Sequence, residues 1–316
     1  MLFRSAHSSV WVVVVGIAVG YSWAFTRLGP RVLGPDVEVA TSRQKAWIIA
    51  GVLFTWVFAE YPIHDIAERY LFSVHMIQHT VFTLVAPACF LLGTPAWLQQ
   101  RILAVRPIGA AARFLAKPMI ALVVFNGLVL FTHWPKLVER GLHNELIHFS
   151  IHLVLFLSAL CMWFPVINRL PGYPRLKTPN NMLYLFAQSI GPTVPMAFLT
   201  FSGSHVLYRT YAEAPRMIRG LTAIGDQQIA AAIMKIGAGG LLWSVVGMLF
   251  VQWWRDSQNG QANDNRRRPA PLPMPAPVLV PAVTLEKPVD PDPDVLTWDQ
   301  VQAEFDRLDA VAEPDR

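Results

Sequence analysis

The chain has 316 residues, 53% of them hydrophobic and only 15% charged, with a mean hydropathy of +0.38. A soluble domain carries about 25% charged residues, so the balance points to a polytopic membrane protein. Basic residues dominate positions 1–285 and acidic ones 286–316, so the formal net charge of +5 reflects loops beside a membrane; no basic stripe of the nucleic-acid-binding kind is present.

Seven apolar runs, at 9–26, 46–61, 71–93, 118–134, 144–167, 182–202 and 227–253, approach the ~20 residues that span a bilayer. The expected fold is therefore an all-α membrane protein, a seven-helix transmembrane bundle over residues 1–255. The first two runs are among the shortest, and no clear small-residue cleavage site follows the first. Trp11, Trp134, Trp253 and Trp254 mark span ends as an interfacial aromatic belt would. Pro87, Pro192 and Pro195 are expected to kink their helices. Cys89 and Cys161 lie deep in apolar runs, too few for a disulfide framework and without the CxxC of a thiolate metal site.

Lys and Arg are concentrated in alternate loops: those holding Arg27 to Lys45, Arg101 to Lys117 and Arg169 to Lys177, and the segment after the last run. The positive-inside rule then places the N-terminus outside and the C-terminus in the cytoplasm. Residues 256–316 are polar, then Pro-rich, and are expected to form a disordered cytoplasmic tail. Near its end Thr297 and Gln300 form a capping box ahead of a short amphipathic helix over 297–311, which reads as a solvated acidic tail or as a docking motif.

Imidazoles inside the runs carry the chemical signal. HMIQH places His75 and His79 one turn apart in the third run; HNELIHFSIH places His148 and His152 the same way in the fifth. Each i,i+4 pair projects from one helix face, and both pairs fall about 6 and 12 Å below the start of their run at 1.5 Å per residue. His133 ends the fourth run on the same side, and His64, His143 and His205 lie in loops on that side too. Two depth-matched pairs can supply several imidazole nitrogens to one ion or two close ions. Neutral imidazole suits copper, zinc and iron, although intramembrane His also serves as an interhelical hydrogen-bonding group. Asp226 is a candidate partner for a ligating His or the N-cap of the seventh helix. Met76 and Met234 are candidate soft ligands or core residues. Lys235, in mid-span, could pair with Glu60 or Asp226 or snorkel outward.

The segments HMIQHTVFTLVAPACFLLGTP, THWPKL, HFSIHLVLFLSALCMWFPV and AIGDQQIAAAIM together resemble the polytopic CtaG-type cytochrome c oxidase assembly factors, over about residues 40–255. The resemblance implies seven spans in the cell's inner membrane and a non-enzymatic role in maturing a haem-copper oxidase. It also implies copper supply to the oxidase's outward-facing centre, with oxidase subunits and a periplasmic copper donor as partners. Carried over by position, the family's residues match His75, His79, His133, His148, His152 and Asp226; His64 and His143 have no assigned place in that pattern. The residues themselves leave open a metal-free scaffold, a haem-b carrier with one axial His from each of two helices, and a di-iron oxygenase. The last is disfavoured because the chain has no adjacent His pair.

Overall fold

The computed structural model describes residues 8–168, 170–203, 205–267 and 296–312; all of these that are regular are helical. The chain divides into two compact units, Met1–Ala262 and Asn263–Arg316. In the first, the helices are α1 Val10–Leu33, α2 Ser42–Ala59, α3 Ile63–Arg69, α4 Phe72–Gly93, α5 Ala96–Leu103, α6 Arg106–Leu115, α7 Pro118–Thr132, α8 Pro135–His143, α9 Glu145–Ile167, α10 Thr178–Phe201, α11 Arg209–Glu213 and α12 Ala223–Asn259. The second unit contributes α13, Trp298–Ala312, where the Gln300 side chain accepts a hydrogen bond from the Thr297 N–H.

Five helices (α1, α4, α9, α10 and α12) are long and apolar enough to cross a membrane, and seven spans result if the bent pairs α2–α3 and α6–α7 each count as one. The bends are 48° and 89°. The helix bounds correct the expected runs in three places. The first is not among the shortest: α1 continues through Arg27 and Arg31 to Leu33, where Gly34 ends it at φ 104°. Charged residues near a helix end hide that continuation from a count of apolar residues. The shortest is α7, whose 15 residues rise about 22 Å. α12 does not stop at residue 255 but continues to Asn259, and residues 260–267 are helical as well, while the expected Pro-rich linker lies, over 268–295, outside the described residues.

α4 is the most buried of the candidate spans and packs against α2, α3, α9 and α12. Its approach to α2 is close because Gly93 lies against Ile48 and Gly51 against Phe90. Midway along α4, Val81–Val85 forms a π turn in which the Ala86 N–H reaches Val81. Proline lacks an N–H and crowds the preceding turn; the wider turn just before Pro87 accommodates it. Pro192 and Pro195 stand at the start of the second half of α10, after the break at Gly191.

Beneath the histidine layer, Leu84, Phe125, Leu155, Met162, Trp163 and Leu185 join α4, α7, α9 and α10 in one apolar core. A second cluster, Phe72, Met76, Met196, Leu199, Tyr208, Tyr211 and Met234, packs around the start of α4. On the outer face of the bundle large apolar side chains are exposed, among them Val12, Met119, Val123, Leu146 and Phe198. Surface of this kind is costly in water and is what a lipid-facing helix presents.

Candidate metal centre

The site is built at the end of the bundle where α4, α9 and α12 begin and α7 finishes. α4 has no capping side chain of its own at Leu71. Its first amide groups are met from the other end of the sequence: Asp226 of α12 accepts hydrogen bonds from Phe72 N (2.7 Å), Ser73 N (3.2 Å) and the Ser73 hydroxyl. A carboxylate at a helix N-terminus satisfies orphan N–H groups and complements the helix dipole. The neighbouring Gln227 accepts from Leu207 N and donates toward Leu199 O and Ser202 Oγ, tying the start of α12 to these residues. α9 starts on Asn144, whose side chain accepts from Ile147 N.

These two starts fix the depth of the histidines. From Phe72 to His75 and to His79 is three and seven residues, and from Glu145 to His148 and to His152 is again three and seven. The four rings accordingly form one layer. His75–His79 and His148–His152 centroids are 4.5 Å apart, His79–His152 4.7 Å and His75–His148 5.8 Å. One ring nitrogen from each of His75, His79 and His152 lies within 4.8 Å of the other two. His75 Nδ1 and His152 Nε2 are buried without a hydrogen-bond partner, a costly state for polar groups that an ion would relieve.

His133 completes the wall. Its Nδ1 donates to Val129 O at 2.6 Å, which leaves Nε2 as the lone-pair nitrogen, buried and unpartnered, on a ring 5.7 Å from His79. A backbone carbonyl that fixes the tautomer in this way is a usual partner of a ligating imidazole. The five rings enclose, with Met76, Thr132 and Ile151, a cavity of about 20 Å³, room for about one water-sized occupant. The donor set fits copper: imidazole serves both Cu(I) and Cu(II).

A second group stands beside the first. His64 Nε2 and His148 Nε2 each lie 3.1 Å from Glu68 Oε1, the His148 contact at ion-pair distance without hydrogen-bond geometry. Gln78 Nε2 donates to Phe58 O (2.7 Å) and to His64 Nδ1 (2.9 Å), so α4 supports the ring on α3. Residues 208–211 pack against both groups. Tyr208 donates to His133 O and Tyr211 to Ala67 O, and Thr210 is held by Glu139. Burial raises the pKa of both phenols, with Glu139 adding for Tyr208 and Glu68 for Tyr211, so both remain donors at neutral pH.

The remaining candidates fall as follows. Asp226 touches α4 rather than a histidine, and its own helix is capped by Thr222, so both roles expected for it are replaced by a third. Met76 and Met234 pack in the apolar cluster, although Met76 also lines the small cavity. His143 is exposed, with Nδ1 on Glu139 O, and joins neither group. Lys235 does not pair with Glu60 or Asp226 but donates to Thr193 across to α10. Glu68 and Gln78 were not singled out from the sequence. Glu68 had a signal, since His64 and Glu68 repeat the i,i+4 spacing of the paired histidines.

The fold and site together define a class: an all-helical protein with five to seven candidate membrane-crossing helices and a buried imidazole layer at one end of the bundle. The sequence model of the family described as cytochrome c oxidase caa3 assembly factor (Caa3_CtaG) matches residues 19–256, most of the chain. The protein belongs to that family. It is also 24% identical, over 283 residues covering 80% of this chain, to uncharacterized proteins of Mycobacterium bovis and Mycobacterium tuberculosis. The chain corresponds to 39% of the length of each of those relatives. No solved structure matches it.

Proposed function

We propose that the protein binds copper in the imidazole layer and holds it for, or passes it to, a haem-copper oxidase during assembly. The carrying observation is the convergence of His75, His79 and His152 from two helices, with buried nitrogens that have no other partner. The copper is cargo: imidazole ligands release it by substitution, and no substrate is turned over. Membership of an oxidase assembly-factor family supplies the destination. Oxidase subunits are then the receiving partners, and a soluble copper donor on the same side is the source.

Orientation supports the same reading. The histidine layer lies at the end where α4 and α9 begin, and the loops rich in Lys and Arg join the other ends of the spans. By the positive-inside rule the layer faces outward from the inner membrane, the side on which the oxidase's outer copper centre is loaded. The Pro-rich tail is then cytoplasmic. The test is replacement of His75, His79, His148 and His152 together by alanine. The inserted variant is expected to lose bound copper and to leave the oxidase immature. Full oxidase activity with that variant as the sole copy would refute the role.

A further inference from the structure

Two cavities meet at the histidine layer. One is the small space of about 20 Å³ lined by His75, His79, His133 and His152. The other is a cleft of about 270 Å³ between α1, α2, α4 and α9, apolar along most of its length, which ends on His64, Glu68, Glu145 and His148. His148 and His152 line both. The imidazole triad lines the small chamber, and the mixed group of His64, Glu68 and His148 lines the larger cleft beside it.

We propose that His64, Glu68 and His148 form a second cation site, distinct from the imidazole triad and adjoining it, at which a divalent ion is held in front of the chamber. One donor atom from each of the three lies within 4.8 Å of the others. The two histidines already converge, through Nε2, on one carboxylate oxygen, each at 3.1 Å. The chemistry separates the sites. A carboxylate contributes negative charge and a hard oxygen, which favours divalent ions such as Zn²⁺ or Cu²⁺; three neutral imidazoles without charge suit a monovalent copper ion equally well. The Gln78 amide, anchored on Phe58 O, donates to Nδ1 of His64 and so turns Nε2 of that ring toward Glu68. The ring of His148 is 5.8 Å from that of His64 and 4.5 Å from that of His152, so it stands between the two ions.

This inference rests on the copper reading only for the inner site, and the test separates the two. Full-length protein in detergent is dialysed against buffered Zn²⁺ and its zinc counted by mass spectrometry. Two ions per chain are expected for the wild type. Glu68→Gln and His64→Ala are each expected to retain one, and His75→Ala/His79→Ala one. Adding Glu68→Gln to the latter pair should leave none. Retention of the full wild-type count by both Glu68→Gln and His64→Ala overturns the second site, whatever the inner site does. A wild type that binds a single ion, kept by Glu68→Gln and lost in His75→Ala/His79→Ala, overturns it as well. Loss of one ion in Glu68→Gln with no loss in His75→Ala/His79→Ala would instead uphold the second site and remove the inner one.

Discussion

Asp226 shows how one side chain can govern a site it never touches. Its carboxylate, buried at 1% exposure, takes up the first amides of α4 and so sets how far His75 and His79 lie from the helix start. Replacing it by alanine leaves Phe72 N and Ser73 N without this acceptor, at a cost of about 1–3 kcal/mol. Asp226→Ala is expected to lower the thermal midpoint of the purified protein and to weaken copper binding although every histidine remains. Unchanged copper affinity would show that α4 keeps its register without this clamp. The sequence offered Asp226 as a polar residue opening a helix and so pointed to capping, but it named the wrong helix. The donors it accepts from are backbone amides 153 and 154 positions away, and a backbone N–H has no side-chain signature to read. His64 and Glu68 are obscured for a different reason: a seven-residue helix between two spans reads as loop in the sequence, so their i,i+4 spacing carries no helical signal there.

At the scale of elements, the histidine layer depends on α4 and α9 lying side by side and starting level. That was legible because both pairs are i,i+4 and both follow the start of an apolar run by the same interval. The packing that holds α4 in place was less so. Gly93 and Gly51 let α2 approach closely, and a methyl group on Gly93 would meet the Ile48 side chain at 2.7 Å and its backbone nitrogen at 2.8 Å. Small residues at helix crossings are how membrane helices gain contact without a hydrophobic driving force. Gly93→Ala is expected to destabilise the bundle by about 1–3 kcal/mol through overpacking, read as a lower midpoint in a detergent melt. A midpoint equal to wild type would mean that α2 and α4 are less tightly apposed than the structure has them. Asn126, Gln188 and Tyr184 tie α7, α10 and α9 by a hydrogen-bonded chain ending on Met162 O. Their polar identity is visible in the sequence, but which helices they join is not.

For the whole molecule, the charge distribution and the placement of the site make one statement about orientation. With the layer outward and the tail inward, a fluorescent protein fused after Arg316 is expected to fluoresce, and alkaline phosphatase fused there to be inactive. The reverse pattern would put the histidines on the cytoplasmic side and remove the outward route for copper. The proposed ion sits among imidazoles without a sulfur ligand: Cys89 and Cys161 join neither histidine group, Met234 packs in the apolar cluster, and Met76, which lines the small cavity, packs in that cluster too. This central claim is tested most directly by X-ray absorption on the purified protein carrying one equivalent of Cu(I). A first shell of nitrogen donors with the multiple-scattering pattern of histidine is expected. A shell dominated by sulfur, or protein that retains no copper at all, would contradict it.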